Sequence, residues 1–210
     1  MGHKIVIIPV KANSQGAPNK NRLLLKHCVE ETLKAGYPIC IIGDDKELLH
    51  EYSKFVDTHL LPPIGSYVDI TDSLRKWRDD VSFVGDIALV QCTSPKIKHE
   101  WIGECLRHVS DGIISATACD VGFKPTAMYR EVGNGLFIPY CKDAPSASVA
   151  RQLLPHTIRI NGAVVAFQSN QLDFKSLYDN AAMMPVMVDE RESLDIDTKE
   201  QLEEFLKNIR

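Results

Sequence analysis

An open α/β sheet built from βαβ units is the fold this sequence predicts, and three observations predict it. A continuous β-branched run from Ile5 to Val10 opens the chain and reads as a strand buried on both faces. Strand-like runs then alternate with stretches of helical period, at intervals of roughly 30–40 residues. The 210 residues are 44% hydrophobic and 25% charged, an ordinary globular balance. That length suits one domain of about 150 residues with a small excursion.

The elements follow in order. A polar loop runs from Lys11 to Asn21. Leu25, Val29 and Leu33 then recur every four residues, with Leu24 and Cys28 beside them, and this helix stripe is stopped by Gly36 and Pro38. Tyr37 to Ile42 is a second strand, ending at Gly43-Asp44-Asp45. Leu48, Leu49, Tyr52 and Phe55 suit a second helix, and Pro62, Pro63 and Gly65 mark a loop. Asp69 to Asp80 puts Ile70, Leu74 and Trp77 on one helical face. Ile87 to Val90 is a third strand, closed by Gln91-Cys92-Thr93-Ser94-Pro95. Trp101, Ile102, Cys105, Leu106 and Val109 form the next stripe, and Ile113 to Thr117 a fourth strand.

From about Val121 to Arg159 the pattern loosens under Pro125, Gly133, Gly135, Pro139, Pro145 and Pro155, which reads as an excursion from the main sheet, a hairpin or arm. Ala163 to Phe167 and Pro185 to Val188 return as strands. Thr198 and Gln201 have capping-box spacing ahead of a last helix with Leu202, Phe205, Leu206 and Ile209 on its apolar face.

Charge and cysteine usage exclude several classes. Lys plus Arg is 24 against 28 for Asp plus Glu, a formal charge of −4, which argues against a general nucleic-acid binder. No apolar run approaches the ~20 residues of a membrane span, and no secretory leader is read at the start. Cys28, Cys40, Cys92, Cys105, Cys119 and Cys141 form no CxxC pair. They read as reduced, buried thiols of a protein in the cytoplasm or another reducing compartment, and their spacing does not suit zinc.

Four constellations carry chemistry. In an open α/β sheet ligands bind at the carboxyl ends of strands, which is where the first two lie. Lys11, Ala12, Asn13, Ser14, Gln15 and Gly16, with Lys20 and Asn21, make a small-residue loop whose amides and lysines suit a triphosphate; alternatively it is a surface loop with two solvated lysines. It is neither GxxxxGK[ST] nor GxGxxG. Gln91, Thr93 and Ser94 offer hydrogen bonds to a polyhydroxy ligand, or cap the next helix. Asp195 and Asp197, two apart, share one side of an extended segment and suit Mg²⁺ with phosphate oxygens, unless Asp197 is only a helix cap. Arg151, Gln152, Arg159 and Asn161 could clamp a carboxylate and hydroxyls, or belong to an exposed arm.

In this order the blocks resemble the acylneuraminate cytidylyltransferases, the CMP-sialic acid synthetases. The family's opening loop is matched from Pro9 to Asn21, its Gln-Pro-Thr-Ser-Pro by Gln91 to Pro95, and its Arg-Gln block by Arg151 to Pro155. Its Arg-x-Asn-Gly-Ala is matched by Arg159 to Ala163 and its closing Ser-x-Asp-Ile-Asp-Thr by Ser193 to Thr198. Departures are Lys11 for the family's Arg, Asn13 for Gly, Gln15 for Lys, Leu61-Pro62 for Arg-Pro and Leu153 for Asp.

The resemblance implies a mostly parallel, Rossmann-like three-layer sheet in a single domain, with an arm over about 123–160 used for homodimerisation. It implies transfer of CMP from CTP to an acidic sugar, with Mg²⁺ on Asp195 and Asp197. Lys11, Lys20 and Asp197 are then catalytic, the opening loop through Asn21 binds the nucleotide, and Gln91, Thr93, Ser94, Arg151, Gln152, Arg159 and Asn161 face the sugar. Other acids (Kdo, pseudaminate, legionaminate or a phosphonate) and a non-catalytic nucleotide-binding protein are the alternatives.

Overall fold

The structure, a computed structural model, describes residues 2–12, 17–62, 69–140 and 148–208. Its centre is a seven-stranded sheet in the order β3-β2-β1-β4-β8-β5-β9. The strands are β1 (His3–Val10), β2 (Ile39–Gly43), β3 (Asp57–Leu60), β4 (Gly85–Val90), β5 (Ile113–Asp120), β8 (Ile158–Gln168) and β9 (Ala182–Met187). Only β8 runs antiparallel to its neighbours, β4 and β5. The other pairings are parallel, so the sheet is mostly parallel and Rossmann-like, as expected.

Alternation of side chains along each strand builds two cores, because successive Cβ atoms point to opposite faces. Val6, Ile8 and Val10 of β1, with Ala88 and Val90 of β4, face α1 (Lys20–Leu33), α2 (Lys46–Tyr52) and α4 (His99–His108). Ile7, Ile87, Leu89, Val165 and Phe167 face the other way, against Leu74 and Trp77 of α3 (Ile70–Val81). Helices thus cover both faces, giving three layers. A third cluster joins Ala17 and Leu24 to Ile196 and Leu202, docking α5 (Lys199–Asn208) beside α1.

Several expectations shift. Phe55, assigned to the second helix, lies beyond its end at Tyr52 and is 72% exposed. A short strand, β3, follows it, made of Asp-Thr-His-Leu on the sheet edge. The excursion does contain a hairpin, as read, β6 (Tyr129–Gly133) and β7 (Leu136–Pro139), forming its own two-stranded sheet. The capping box holds: Gln201 Oε1 accepts from Thr198 N at 2.9 Å and Thr198 Oγ1 accepts from Gln201 N at 3.3 Å. Pro63, Gly65, Cys141, Pro145 and Ile209 lie outside the described residues.

Gly43 fixes how close β2 comes to β1. A Cβ there would sit 2.1 Å from the Val10 carbonyl oxygen and 2.7 Å from Val10 Cγ2. The carbonyl oxygen cannot move without parting the two strands at the end that carries the first loop. Gly43→Ala is expected to destabilise the protein by roughly 1–3 kcal/mol, the range of core overpacking. Urea denaturation checks this, and an unchanged midpoint would show that the strands separate at little cost.

Candidate functional site

The sheet order reverses between β1 and β4: β2 and β3 lie on one side of β1, and β4 lies on the other. Such a switch point leaves a crevice at the carboxyl ends of the two strands. The loops after Val10 and after Val90 border it.

A strap made of residues 188–198 crosses this edge. It leaves β9 with Val188 N on Ala118 O at 2.8 Å. Ser193 Oγ accepts from Asn161 Nδ2 at 3.1 Å, Lys96 Nζ donates to Arg191 O at 2.7 Å, and Lys98 pairs with Glu192. Ile196 N then donates to Thr93 O at 2.8 Å. The acidic doublet is thereby set over the end of β4.

Lys20 closes the junction from the other side. Its ammonium donates to Ile196 O at 2.7 Å and to Asp197 Oδ1 at 3.3 Å. The lysine side chain is only 11% exposed, whereas Asp197 is 72% exposed. The opening loop's far end and the late acidic doublet therefore meet. Asn13, Ser14, Gln15 and Gly16, between Ala12 and Ala17, lie outside the described residues.

Asp195 is the electrostatically unusual member. Burial pushes its carboxyl up, and the charge of Asp197 adds to that; the Thr93 hydroxyl and Lys20 oppose it. Its Oδ1 is buried and has no hydrogen-bond partner. An ionised oxygen without a partner is costly away from water, so this atom is suited to receive a cation.

The remaining predicted residues divide. Asn21 bridges two strand ends: Nδ2 donates to Lys11 O at 3.1 Å, and Oδ1 accepts from Cys92 Sγ at 3.5 Å. Its polar atoms are thus used within the protein and fix the mouth of the first loop. Lys11 is half-buried and borders a small depression with Ala12, Lys20, Asn21 and Arg22. Thr93 is half-buried beside Asp195, and Gln91 anchors the β4 end through its amide on Ala163 O at 3.1 Å.

Ser94 and Asn161 are turned inward. Ser94 is 4% exposed in a turn whose amide bonds to Gln91 O. It does not cap α4, whose N-cap is Lys98. Asn161 accepts from Thr117 Oγ1 at 2.5 Å and from Ala163 N at 3.1 Å while donating to Ser193. It sits in a bulge where Asn161 to Val164 of β8 oppose Thr117 alone, between the pairs Ala116–Val165 and Ala118–Ile160. Gly162 permits this bulge with a φ of +78°. Both residues were expected to face a sugar; burial and internal partners instead make them supports of the strap and the β4 end.

Arg159 is exposed on β8, with a guanidinium N–H to Cys119 Sγ at 3.4 Å, and Gln152 is exposed in a 3₁₀ turn. The side chain of Arg151 lies outside the described residues.

Sequence reading missed Asp44 and Asp45. Asp44 Oδ1 accepts from Ala12 N at 2.8 Å, which ties the first loop to the end of β2. Asp45 caps α2 at Leu48 N (3.0 Å) and pairs with Arg22 at 3.4 Å. The sequence signal was a Gly-Asp-Asp turn at the carboxyl end of a strand.

A separate cluster, Glu31, His99 and Glu100, could hold a metal ion, with one ligand atom from each within 4.8 Å of the others. Glu31 lies eleven residues along α1 from Lys20, roughly 16 Å at 1.5 Å per residue, so this is not the acidic doublet. Burial raises the Glu31 carboxyl, but bonds from Lys34 and from the His99 ring and amide outweigh it and hold it down at about 2. Among the described residues all five cysteines are free and buried, and no helix is long and apolar enough to cross a membrane.

No family model matches the chain. Solved structures share its fold over nearly its whole length. CMP:2-keto-3-deoxy-manno-octonic acid synthetase complexed with CTP is 15% identical, covering 99% of this chain and 98% of that one, with a TM-score of 0.70. 4-Diphosphocytidyl-2C-methyl-D-erythritol synthase is 10% identical over 100% and 99%, TM-score 0.67. A nucleotidyl transferase from a Methanothermobacter is 12% identical over 98% and 99%, TM-score 0.61. At these identities the likeness establishes the fold.

Proposed function

We propose that the protein is a nucleotidyltransferase that moves CMP from CTP to the anomeric hydroxyl of an acidic, N-acylneuraminate-like sugar, with pyrophosphate leaving. One observation carries the reading. Lys20, the Ile196 carbonyl and Asp197 meet at the switch-point crevice, with the unpartnered Asp195 Oδ1 in the same strap. Two of the fold's likenesses carry a cytidine nucleotide in their names, one of them complexed with CTP, which supports CTP as donor.

Mg²⁺ fits this donor set, because hard carboxylate oxygens are its preferred protein ligands and one of them lacks a partner. Asp195 and Asp197 would hold it, and when bound it neutralises charge on phosphate oxygens. The chain's own residues do the rest. Lys11 and Lys20 place positive charge at the mouth and far end of the first loop. Asn13, Ser14, Gln15 and Gly16 are assigned to the triphosphate, Ala12 ties the loop to Asp44 through its amide, and Asn21 holds the loop's mouth. Gln91, Thr93, Arg151, Gln152 and Arg159 serve the acceptor side, with Asn161 and Ser94 acting through the elements they brace.

Transfer of this kind rests on positioning and charge neutralisation, so no nucleophilic side chain is needed. Cys92, the nearest thiol, is pushed up to about 12 by burial and stays protonated. The arm over 123–160, with Met128, Tyr129, Val132 and Leu136 exposed, is assigned to a homodimer contact in a cytoplasmic, single-domain enzyme.

The likeness to the octonic acid synthetase favours a second acceptor class, Kdo and related acids. Pyrophosphate release from CTP with Mg²⁺ and a panel of sugar acids tests both. Turnover with a neuraminate is expected. Turnover only with Kdo, pseudaminate, legionaminate or a phosphonate would replace the acceptor, and CTP binding without any turnover would mark a non-catalytic nucleotide-binding protein.

A further inference from the structure

Building on that reading, we propose that Arg22 binds the terminal phosphates of the triphosphate, the pair that leaves as pyrophosphate. Asp45 holds its guanidinium at the edge of the first loop until the nucleotide arrives.

Arg22 stands in the first turn of α1 and lines one depression with Lys11, Ala12, Lys20, Asn21 and Asp45. It thus shares the mouth of the first loop with both lysines assigned to the triphosphate. Its neighbours are three carboxylates, and it grips none of them closely. Nη2 lies 3.4 Å from Asp45 Oδ2 and 3.8 Å from Glu47 Oε2, and Nη1 lies 3.9 Å from Glu51 Oε2. A settled guanidinium–carboxylate pair closes to about 2.7–2.9 Å. The Arg22 side chain is 42% exposed, and those of Glu47 and Glu51 are 90% and 61% exposed. Pairs this open contribute little to stability, so stapling α1 to α2 does not account for an arginine here. Asp45 is already committed as the cap of α2, accepting from Leu48 N at 3.0 Å, and keeps that bond when the guanidinium leaves. The first turn of α1 carries no acidic residue, and cations at this end of a helix oppose its dipole until an anion joins them.

Position says which phosphates. Val10 of β1 is level with Gly43 of β2, and Ile7 of β1 with Leu89 of β4, so the three strands end together. β2 and β4 flank β1 on opposite sides. The acidic doublet lies over the β4 end, through Ile196 N on Thr93 O, and the reacting α-phosphate belongs beside it. Arg22 is held on the other flank, by Asp45 just past the end of β2. The preceding residue, Asp44, bonds the Ala12 amide at 2.8 Å, so Arg22 adjoins the root of the first loop. The flanks are two strand spacings apart, about 10 Å. A triphosphate laid from the doublet across the end of β1 brings its β- and γ-phosphates toward Arg22, and the long arginine side chain covers the remainder. Side chains of a first helical turn lean back toward the helix start. Lys20 and Arg22, on different sides of α1, therefore both reach forward to the phosphates. The planar fork of Arg22 suits two phosphate oxygens at once, and its charge offsets the cation that Gln15 omits from the loop.

The test is calorimetric binding of inorganic tripolyphosphate, CTP and CMP, each with Mg²⁺, to the full chain and to Arg22→Ala. Tripolyphosphate and CTP are expected to bind about tenfold more weakly to the variant, the loss of one charge-assisted pair. CMP, which lacks the terminal phosphates, should be unaffected. Arg22→Lys, with the charge but not the fork, should recover part of the loss. The Arg22 Nε resonance of the parent, assigned by its absence from Arg22→Ala, is expected to shift saturably with tripolyphosphate. Equal CTP affinity in parent and variant, an unmoved resonance at saturation, or an equal loss for CMP overturns the assignment and leaves the nucleotidyltransferase reading standing. Tripolyphosphate held through Arg22 by a protein that neither binds nor turns over CTP would overturn that reading and leave the phosphate site standing. Failure of the parent to bind any of the three removes both. Should Arg22→Ala not fold, Arg22→Gln takes its place and the resonance shift in the parent decides.

Discussion

Asp195→Asn is expected to reduce Mg²⁺-dependent pyrophosphate release by at least about a hundredfold while leaving the fold as stable as before, or more so. The first half follows from the donor set. Removing an outer-shell partner of a bound metal already costs 10–100-fold, and Asp195 would be a direct ligand. Asn keeps an oxygen that can accept from the Thr93 hydroxyl, so the strap keeps its local bond, but the charge that receives the cation is gone.

The second half follows from the same electrostatics with the opposite sign. Burial, then the neighbouring Asp197 charge, raise the Asp195 carboxyl above its usual range. A carboxyl raised in the folded state destabilises the metal-free fold at pH above its folded value. The cost fades as pH falls and is absent once the group is protonated in folded and unfolded chains alike. Asn carries no such cost, so its gain belongs to neutral pH and disappears in acid. Strain kept for function is the usual reason such a group persists. Thermal melts of the metal-free protein at pH 7 and pH 3.5, beside the turnover assay, check both halves. A variant that is less stable at pH 7 yet still turns over would show that Asp195 is a structural residue.

What could be read ahead of the structure follows from which forces leave a local trace. Strands β1, β2 and β4 are buried on both faces, so they appear as unbroken runs of Ile, Val and Leu. Strand β3 is a four-residue edge strand of Asp-Thr-His-Leu, and a polar edge leaves no such run. The reversed direction of β8 is set by pairing partners and not by its own alternation, so Ala163 to Phe167 could be read as a strand but not as an antiparallel one.

The site shows the same divide. Lys20 and Asp197 are 177 residues apart, and only the order of short polar blocks hinted that they belong together. Ser94 and Asn161 have the side chains of sugar-binding residues, yet hydroxyls and amides serve a bulge or a turn equally well. Only the fold decides which partner they take. Asp44 was overlooked because its bond is to a backbone amide, that of Ala12, and backbone amides carry no sequence signature.

Lys20→Met, finally, is expected to lower stability by roughly 1.5–3 kcal/mol and to weaken CTP binding. A lysine this buried needs partners for its charge. Its bond to the Ile196 carbonyl at 2.7 Å is buried, whereas its contact with the exposed Asp197 is longer, at 3.3 Å. The carbonyl bond therefore carries most of the stabilisation, in the range measured for hydrogen bonds to charged groups. Met fills nearly the same volume and leaves the carbonyl without its donor, so the loss reports the bond and not a cavity. Because the bond is shielded from solvent, raising ionic strength should change the wild-type midpoint little. The strap should loosen first: the Ile196 amide, bonded to Thr93 O, is expected to exchange faster in Lys20→Met than in the parent, while amides of β1 and β4 keep their relative protection. Lys20→Arg is not a rescue, since a planar fork does not fit a site built around one carbonyl and one carboxylate oxygen. Urea denaturation with hydrogen exchange measures both effects, and an unchanged midpoint with an unchanged Ile196 exchange rate would separate the first helix from the acidic doublet and remove the junction on which the nucleotide site is built.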